Sequence, residues 1–367
     1  MNTFGRRLRL SLFGESHGPG IGITLDGVPP GLPVDPDAIQ RALDERRPGT
    51  GPLVSARREK DAPQILSGVH GGRATGAPLT VWIQNQDARP QDYERVRRLP
   101  RPGHADFTQH MWSRGHHDPR GGGHASGRLT APLVAAAAIV RPLLEAQGIR
   151  TAAHLHQVGD LSGPPHVHNA ATAAARAAGS PVRTAHAGLE KRFLEAILAA
   201  RQERDSLGGL IEFVADGVPV AWGDPFFDSV ESLLAHLLFS VPAVKGVDFG
   251  AGFAAAAMRS SEHNDPFAVE GGRVVVGKND AGGILGGRTT GASLRGRVAV
   301  KPTSSILRPQ ETVDLGTGEP ARLDLTGRHD PCIAVRAVPV VRACLDLVLA
   351  DLLLLARQEG HVPPAEA

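Results

Sequence analysis

The chain has 367 residues, 41% of them apolar, which is enough to bury a sizeable core in one large domain or two smaller ones. With 40 basic residues against 38 acidic, a net charge of only +2 and 4% aromatics, it lacks the basic excess and stacking rings of a nucleic-acid binder. The two cysteines, Cys332 and Cys344, form neither a disulfide framework nor a zinc site and are expected in the core.

Strand-like apolar runs are expected, in chain order, at 8–12, 21–25, 78–83, 210–215, 273–276 and 294–300. Asp35-Pro36 reads as an N-cap followed by a first-turn proline, opening a helix to about Arg46. An Ala/Leu/Val-rich helix is expected from Thr130 to about Gln147, with Pro142 kinking it. Amphipathic helices follow at 189–204 and 229–239. An apolar helix at 338–357, stopped by Gly360, closes the series. Residues 162–188 are rich in Ala, His, Pro and Gly with weak periodicity, which suggests a variable insertion or a linker. The tail 361–367 is expected to fray. This mixture of strands and segregated helices indicates an α+β fold in a single large domain over 1–360. No apolar run reaches 18 residues, and Met-Asn-Thr-Phe-Gly-Arg-Arg is no signal peptide, so a cytoplasmic protein without membrane contact is expected.

The chemistry-bearing stretches are small-residue loops carrying His or Arg. Phe13–Gly20 surrounds Ser16 and His17 with glycines, so the ring can approach a ligand closely and exchange a proton near neutral pH. Arg46 and Arg47 end the first expected helix, and Arg57 and Arg58 follow. In 101–106, Arg101 and His104 flank Pro102-Gly103, and Asp106 is placed to orient the imidazole. Residues 120–128, Arg-Gly-Gly-Gly-His-Ala-Ser-Gly-Arg, lead into the Thr130 helix. Free backbone N–H groups and a positive helix end there suit an anion. The segment lacks the Gly-Lys-Ser/Thr ending of a P-loop and the spacing of a dinucleotide fingerprint. A Gly-rich stretch at 279–287 is followed by Lys301-Pro302-Thr303-Ser304-Ser305, one ammonium with three hydroxyls. Gly327 through Cys332 places Asp330 beside His329 and between Arg328 and Arg336. No His/Asp/Glu grouping has metal-ligand spacing. Together these loops imply a positively lined pocket for a ligand carrying several negative charges.

In order along the chain the motifs include Phe-Gly-Glu-Ser-His-Gly (13–18), Arg-Arg-Pro-Gly (46–49), Arg-Pro-Gly-His-Ala-Asp (101–106), Arg-Gly-Gly-Gly (120–123), Ala-Gly-Gly-Ile-Leu-Gly-Gly (281–287), Lys-Pro-Thr-Ser-Ser-Ile (301–306) and Gly-Arg-His-Asp-Pro-Cys (327–332). The ordered set resembles the chorismate synthase family. The resemblance implies a β-α-β sandwich assembled as a homotetramer. It implies a lyase converting 5-enolpyruvylshikimate 3-phosphate to chorismate and phosphate by 1,4-anti elimination, in the shikimate pathway to aromatic amino acids. Reduced FMN is required without net redox change: the flavin lends an electron transiently and takes up the departing hydrogen. NADPH is a candidate reductant.

Carried over residue by residue, the resemblance places His17 at the leaving phosphate and His104 at the flavin, with Ser16 and Asp330 assisting proton transfer there. Substrate positions match Arg46, Arg101, Ser126, Arg128 and Arg336, and the position of Arg46 is also described as an NADP contact. FMN positions match His124, Ala125, Ser126, Ala243, Gly286, Lys301, Pro302, Thr303, Ser304, Ser305 and Arg328. Three departures stand out. His124 replaces the usual Arg, Pro242-Ala243 replaces Asn-Ala, and Pro52 stands where a second Arg is usual. A second reading is a relative that binds flavin or a phosphometabolite without turnover, but His17, His104 and Asp330 are intact.

Overall fold

The computed structural model describes residues 2–47, 59–86, 96–326 and 329–361. Two five-stranded antiparallel sheets carry the architecture. In the first the order is Thr3–Phe4, Arg9–Gly14, Gly20–Asp26, Leu79–Gln84, Pro63–Ser67. In the second it is Val244–Phe249, Leu294–Val300, Gly209–Asp216, Arg150–Val158, Leu161–Ser162. Leu79–Gln84 and Leu294–Val300 alternate buried and half-buried positions, as period-2 side chains must when one face meets a core.

α1 (Pro36–Arg46) begins where the Asp35 carboxylate accepts from the Asp37 N–H and ends with Arg46 buried. α2 is Asp106–Ser113 and α3 is Thr130–Glu145. α3 packs on Gly20–Asp26 and Leu79–Gln84 of the first sheet. α4 (Ala170–Gly179), α5 (Glu190–Gln202), α6 (Val230–Ser240) and the short α7 (Ser260–His263) follow. α8 (Ala334–Gln358) packs on α3 and on Arg150–Val158 and Gly209–Asp216 of the second sheet. α1, α3 and α8 form the layer between the sheets. The order sheet, helices, sheet makes a β-α-β sandwich around one continuous apolar cluster.

α3 and α8 are buried almost all round, which explains their Ala, Val and Leu content: an interior helix has no polar face to keep wet. The stretch Gly127–Glu145 is long and apolar enough to span a bilayer, but 78% of its apolar window is buried inside the protein, so it is a core helix. Each fully buried Leu or Ile in this layer contributes roughly 1.5–3 kcal/mol. Two buried carboxylates on α8 tie the layers together. Asp351 accepts from the backbone N–H groups of Arg6, Arg7 and Leu8 at 2.7–2.8 Å, fixing the chain just before the strand that delivers Ser16 and His17. Asp346 accepts from Arg141 of α3 and from Thr151.

All six expected strands are present, and the five expected helices are found within a few residues of their bounds. α3 runs through Pro142 and ends one turn later. α8 starts four residues before the expected Val338, because Pro339 is tolerated in its early turns, and it stops at Gly360 in the left-handed conformation. Cys332 and Cys344 are free and buried. A linker at 162–188 is corrected: α4 lies within it and packs on Arg150–Val158, with Ala173 and Ala185 buried. The tail beyond His361, Pro52, Arg57, Arg58 and Arg328 lie outside the described residues.

Candidate active site

Gly121 joins the first, third and fourth of the His- and Arg-bearing loops. It adopts φ +67°, and a Cβ there would lie 2.4 Å from both Nδ1 and Cε1 of His17 and 3.0 Å from Ser16 Oγ. Only glycine permits that approach. Ser16 Oγ lies 3.0 Å from His17 Nδ1, and the Ser16 N–H donates to the Gly123 carbonyl, so the Gly-rich loop carries both residues. Ser16 and His17 are buried.

The Gly121 carbonyl also accepts from Arg101 Nη2 at 2.8 Å. Arg101 is fully employed. Nε and Nη2 donate to the two Asp106 oxygens at 2.7 and 2.8 Å, and Nη1 donates to Ser305 Oγ at 3.1 Å. Burial alone would raise the Asp106 pKa, but hydrogen bonds from Arg101 and His104 hold the carboxyl well below the usual carboxylate range. His104 Nδ1 sits 2.6 Å from Asp106 Oδ1. Arg101 Nη2 already serves Asp106 and Gly121, so the network assigns the Nδ1 hydrogen to Asp106 and leaves Nε2 for proton exchange. Asp106 thus orients the imidazole as the sequence suggested. Arg101 braces the loops around the His104 turn.

A cavity of about 500 Å³ opens beside this network, lined by His104, Asp106, Gly121 to Gly123 and His124. Lys301 Nζ donates to the Gly103 carbonyl at 2.9 Å and to Ser304 Oγ at 2.7 Å, which brings Lys301–Ser305 to the His104 turn. The Lys301 N–H donates to the Ala243 carbonyl, where Ala243 holds φ +74°. His124 is anchored at both ends, with Nδ1 2.9 Å from the Gly14 carbonyl and Nε2 3.0 Å from Asn2 Oδ1. The Ser126 hydroxyl accepts from the Arg128 N–H and so caps the turn before α3, with Ala125 closing the preceding one.

A second cluster lies behind the Gly-rich loop, at the start of α3. Arg46 donates from Nε to Thr130 Oγ1 at 3.1 Å and from Nη2 to the Gly127 carbonyl at 2.8 Å. Arg128 donates from Nε to Asn85 Oδ1 and from Nη1 to Asp61 Oδ1, each at 2.6 Å. Arg336 Nη1 donates to Asp330 Oδ2 at 2.7 Å, and its Nε lies 3.4 Å from the Arg46 carbonyl. Arg46, Arg128 and Arg336 therefore converge although they are far apart in sequence. Burial, then Arg101, push the pKa of neighbouring His329 down.

The fifth loop divides. Lys301–Ser305 joins the site, whereas Asn279, Asp280 and Lys278 line a separate cavity of about 790 Å³ with Arg295 and Arg297. Gly286 turns the hairpin between Ile284–Leu285 and Arg288–Thr289, and the adjacent Gly287 lies against Pro225 and Ser229. Asp61 and Asn85 are the members of the site that motif reading did not single out. Each is a common residue whose importance comes from its contact with Arg128, 67 and 43 positions away.

The family model for chorismate synthase matches residues 8–354. A chorismate synthase of Korarchaeum cryptofilum is 46% identical over 350 residues, covering 95% of this chain and 96% of that protein. One from Aeropyrum pernix is 47% identical over 355 residues, covering 96% and 93%. A crystal structure titled as chorismate synthase superposes with a TM-score of 0.75 at 26% identity, covering 98% of each chain.

Proposed function

The chain belongs to the chorismate synthase family, and we propose that its arginine- and histidine-bearing site eliminates phosphate from 5-enolpyruvylshikimate 3-phosphate to give chorismate. The observation that carries this reading is the convergence of Arg46, Arg128 and Arg336 behind a loop that also holds His17 and His104. The substrate has two carboxylates and a phosphate, and a cluster of guanidinium groups supplies the planar donors such a load needs.

The residues also fit reduced FMN. The ammonium and hydroxyls of Lys301–Ser305 offer phosphate donors at the His104 turn, and the cavity of about 500 Å³ that His104 and His124 line next to that turn falls within the usual range for cofactor sites. His124, Ala125, Ser126, Ala243, Gly286, Lys301, Pro302, Thr303, Ser304, Ser305 and Arg328 would hold it. Bound reduced FMN supplies a transient electron and a place for the departing hydrogen. His17, buried beside Ser16, donates a proton or hydrogen bond to the phosphate oxygen as the carbon–oxygen bond breaks. His104, oriented by Asp106, exchanges a proton through Nε2 on the flavin side. Asp330 holds Arg336 toward the substrate carboxylates and, with Ser16, assists proton transfer. Arg101 acts on the substrate through the loops it braces, and Ser126 and Arg128 meet the substrate at the start of α3.

Arg46 is buried and engaged on three sides, which favours a place among the substrate cations over contact with NADPH. NADPH remains the candidate reductant for the flavin. Phe226, Phe227 and Phe253, exposed by 90%, 90% and 86%, support assembly with further copies, and we take the homotetramer as the working state. The working compartment is the cytoplasm and the working unit a single domain over 1–360.

The test is phosphate release from the substrate under anaerobic conditions with chemically reduced FMN. Release well above a control without enzyme is expected. Release at the control level would refute the reading.

A further inference from the structure

Three cations of the site, Arg46, Arg128 and Arg336, stand together. Like charges at this spacing repel, and long side chains free to separate would have to be reordered at every binding event. Asp330 holds Arg336 and Glu59 lies near Arg128, but Asp61 is the carboxylate that faces both Arg46 and Arg128. Asp61 is 1% exposed and lies on a backbone turn with φ +47°. Its Oδ1 accepts from Arg128 Nη1 at 2.6 Å, and its Oδ2 takes Arg46 Nη1 at 3.4 Å. Each oxygen thus faces one guanidinium. Burial alone would raise the carboxyl pKa, but Arg128 and Arg46, aided by Arg336, hold it below its ordinary value and keep it charged.

The fork of Arg128 shows what this achieves. Asn85 Oδ1 takes Nε and Asp61 takes Nη1. Nη2 is left buried with no hydrogen-bond partner among the described residues, and Glu59 Oε2 is 3.7 Å away. A buried guanidinium nitrogen without an acceptor is costly, and a ligand oxygen would relieve that cost. With two corners pinned, the direction of the third is set before the ligand arrives. Arg46 is pinned in the same way, by Thr130, Gly127 and Asp61.

We propose that Asp61 is a positioning residue for the substrate, fixing Arg46 and Arg128 so that the unpartnered Nη2 of Arg128 takes a phosphate or carboxylate oxygen. This rests on the elimination reading above, in which these arginines bind substrate. Asp61 itself touches no substrate. Its effect falls on ground-state and transition-state binding alike, so KM rises while kcat is spared.

The experiment compares D61N and D61E with the wild-type enzyme in the anaerobic phosphate-release assay with reduced FMN, measuring kcat and KM separately. D61N keeps the shape and loses the charge. Its KM is expected to rise about 10-fold or more with kcat within about threefold. D61E keeps the charge but displaces it by one methylene, and a KM rise of roughly 3–10-fold is expected. A folded D61N with KM within twofold of wild type would overturn the proposal, as would loss of kcat at unchanged KM. If D61N does not fold, D61E carries the same criterion. Failure of the wild-type enzyme to release phosphate would refute the elimination reading and not the role of Asp61.

Discussion

Replacing Gly121 by Ala isolates the contact on which the two histidines depend. The substitution adds one carbon and no charge. At φ +67° the backbone strain of an Ala is about 1–2 kcal/mol. The new Cβ would sit 2.4 Å from His17 Nδ1 and Cε1, whereas carbon contacts settle near 3.5 Å, so the ring must retreat by about 1 Å. A shift of that size at a reacting group costs on the order of 100-fold in rate. The fold loses much less. A stability decrease of about 1–3 kcal/mol lowers the melting temperature by roughly 1–4 °C in a chain of this length. The assay is phosphate release under anaerobic conditions, at a temperature well below both melting transitions, with thermal melts run in parallel. G121A is expected to stay folded and lose about two orders of magnitude in kcat/KM. A folded variant with kcat/KM within threefold of wild type would show that the approach of His17 to this loop has no bearing on catalysis.

His17→Ala and His104→Ala should each cut turnover by roughly 10–1,000-fold at neutral pH, the usual worth of a general acid or base, and near-wild-type turnover in both would remove their assigned roles. Burial pushes the rings of His156, in the second sheet, and of His186, packed against it, down to about 4 beside the buried Glu212. These rings stay neutral in the folded protein while the unfolded chain takes up protons, so their contribution is present above about pH 6.5 and is lost as pH falls from there toward about 4. Stability should therefore drop between pH 7 and 5, by at most about 1.4 kcal/mol per pH unit for each ring, which a falling melting temperature follows, and His156→Gln should flatten that slope. An identical slope in the variant would count against it. Asp351→Ala strips the acceptor from three backbone N–H groups and should cost about 2–4 kcal/mol in chemical denaturation, and a loss under 0.5 kcal/mol would contradict the anchoring of residues 6–8 by α8.

What the sequence made legible depended on the range of the cause. α1 was readable because Asp35 and Pro36 act within one turn, and Leu294–Val300 because its alternation is local. Arg150–Val158 escaped notice: its Ala and His residues are poor strand formers, and it is held by burial between α8 and α4. α4 escaped for a related reason, since an Ala-rich segment shows little periodicity by polarity even when Ala173 and Ala177 are buried. The candidate site divided similarly. Glycine loops with His and Arg advertised His17, His104 and Arg128. Asp61, by contrast, acts on Arg128 across 67 positions and on Arg46 across 15, and nothing in its neighbours marks it. His124 shows the reverse case. Its loop was the most conspicuous, yet the structure ties its ring to Gly14 and Asn2, so part of what it does is to hold the N-terminal strand against the site.

An elimination without net redox change makes a stoichiometric demand. With reduced FMN well below the substrate concentration and no oxygen, chorismate and phosphate should form one to one over many turnovers while the flavin absorbance stays that of the reduced form. Absence of chorismate, or oxidation of one flavin for each product formed, would contradict the function assigned to this site.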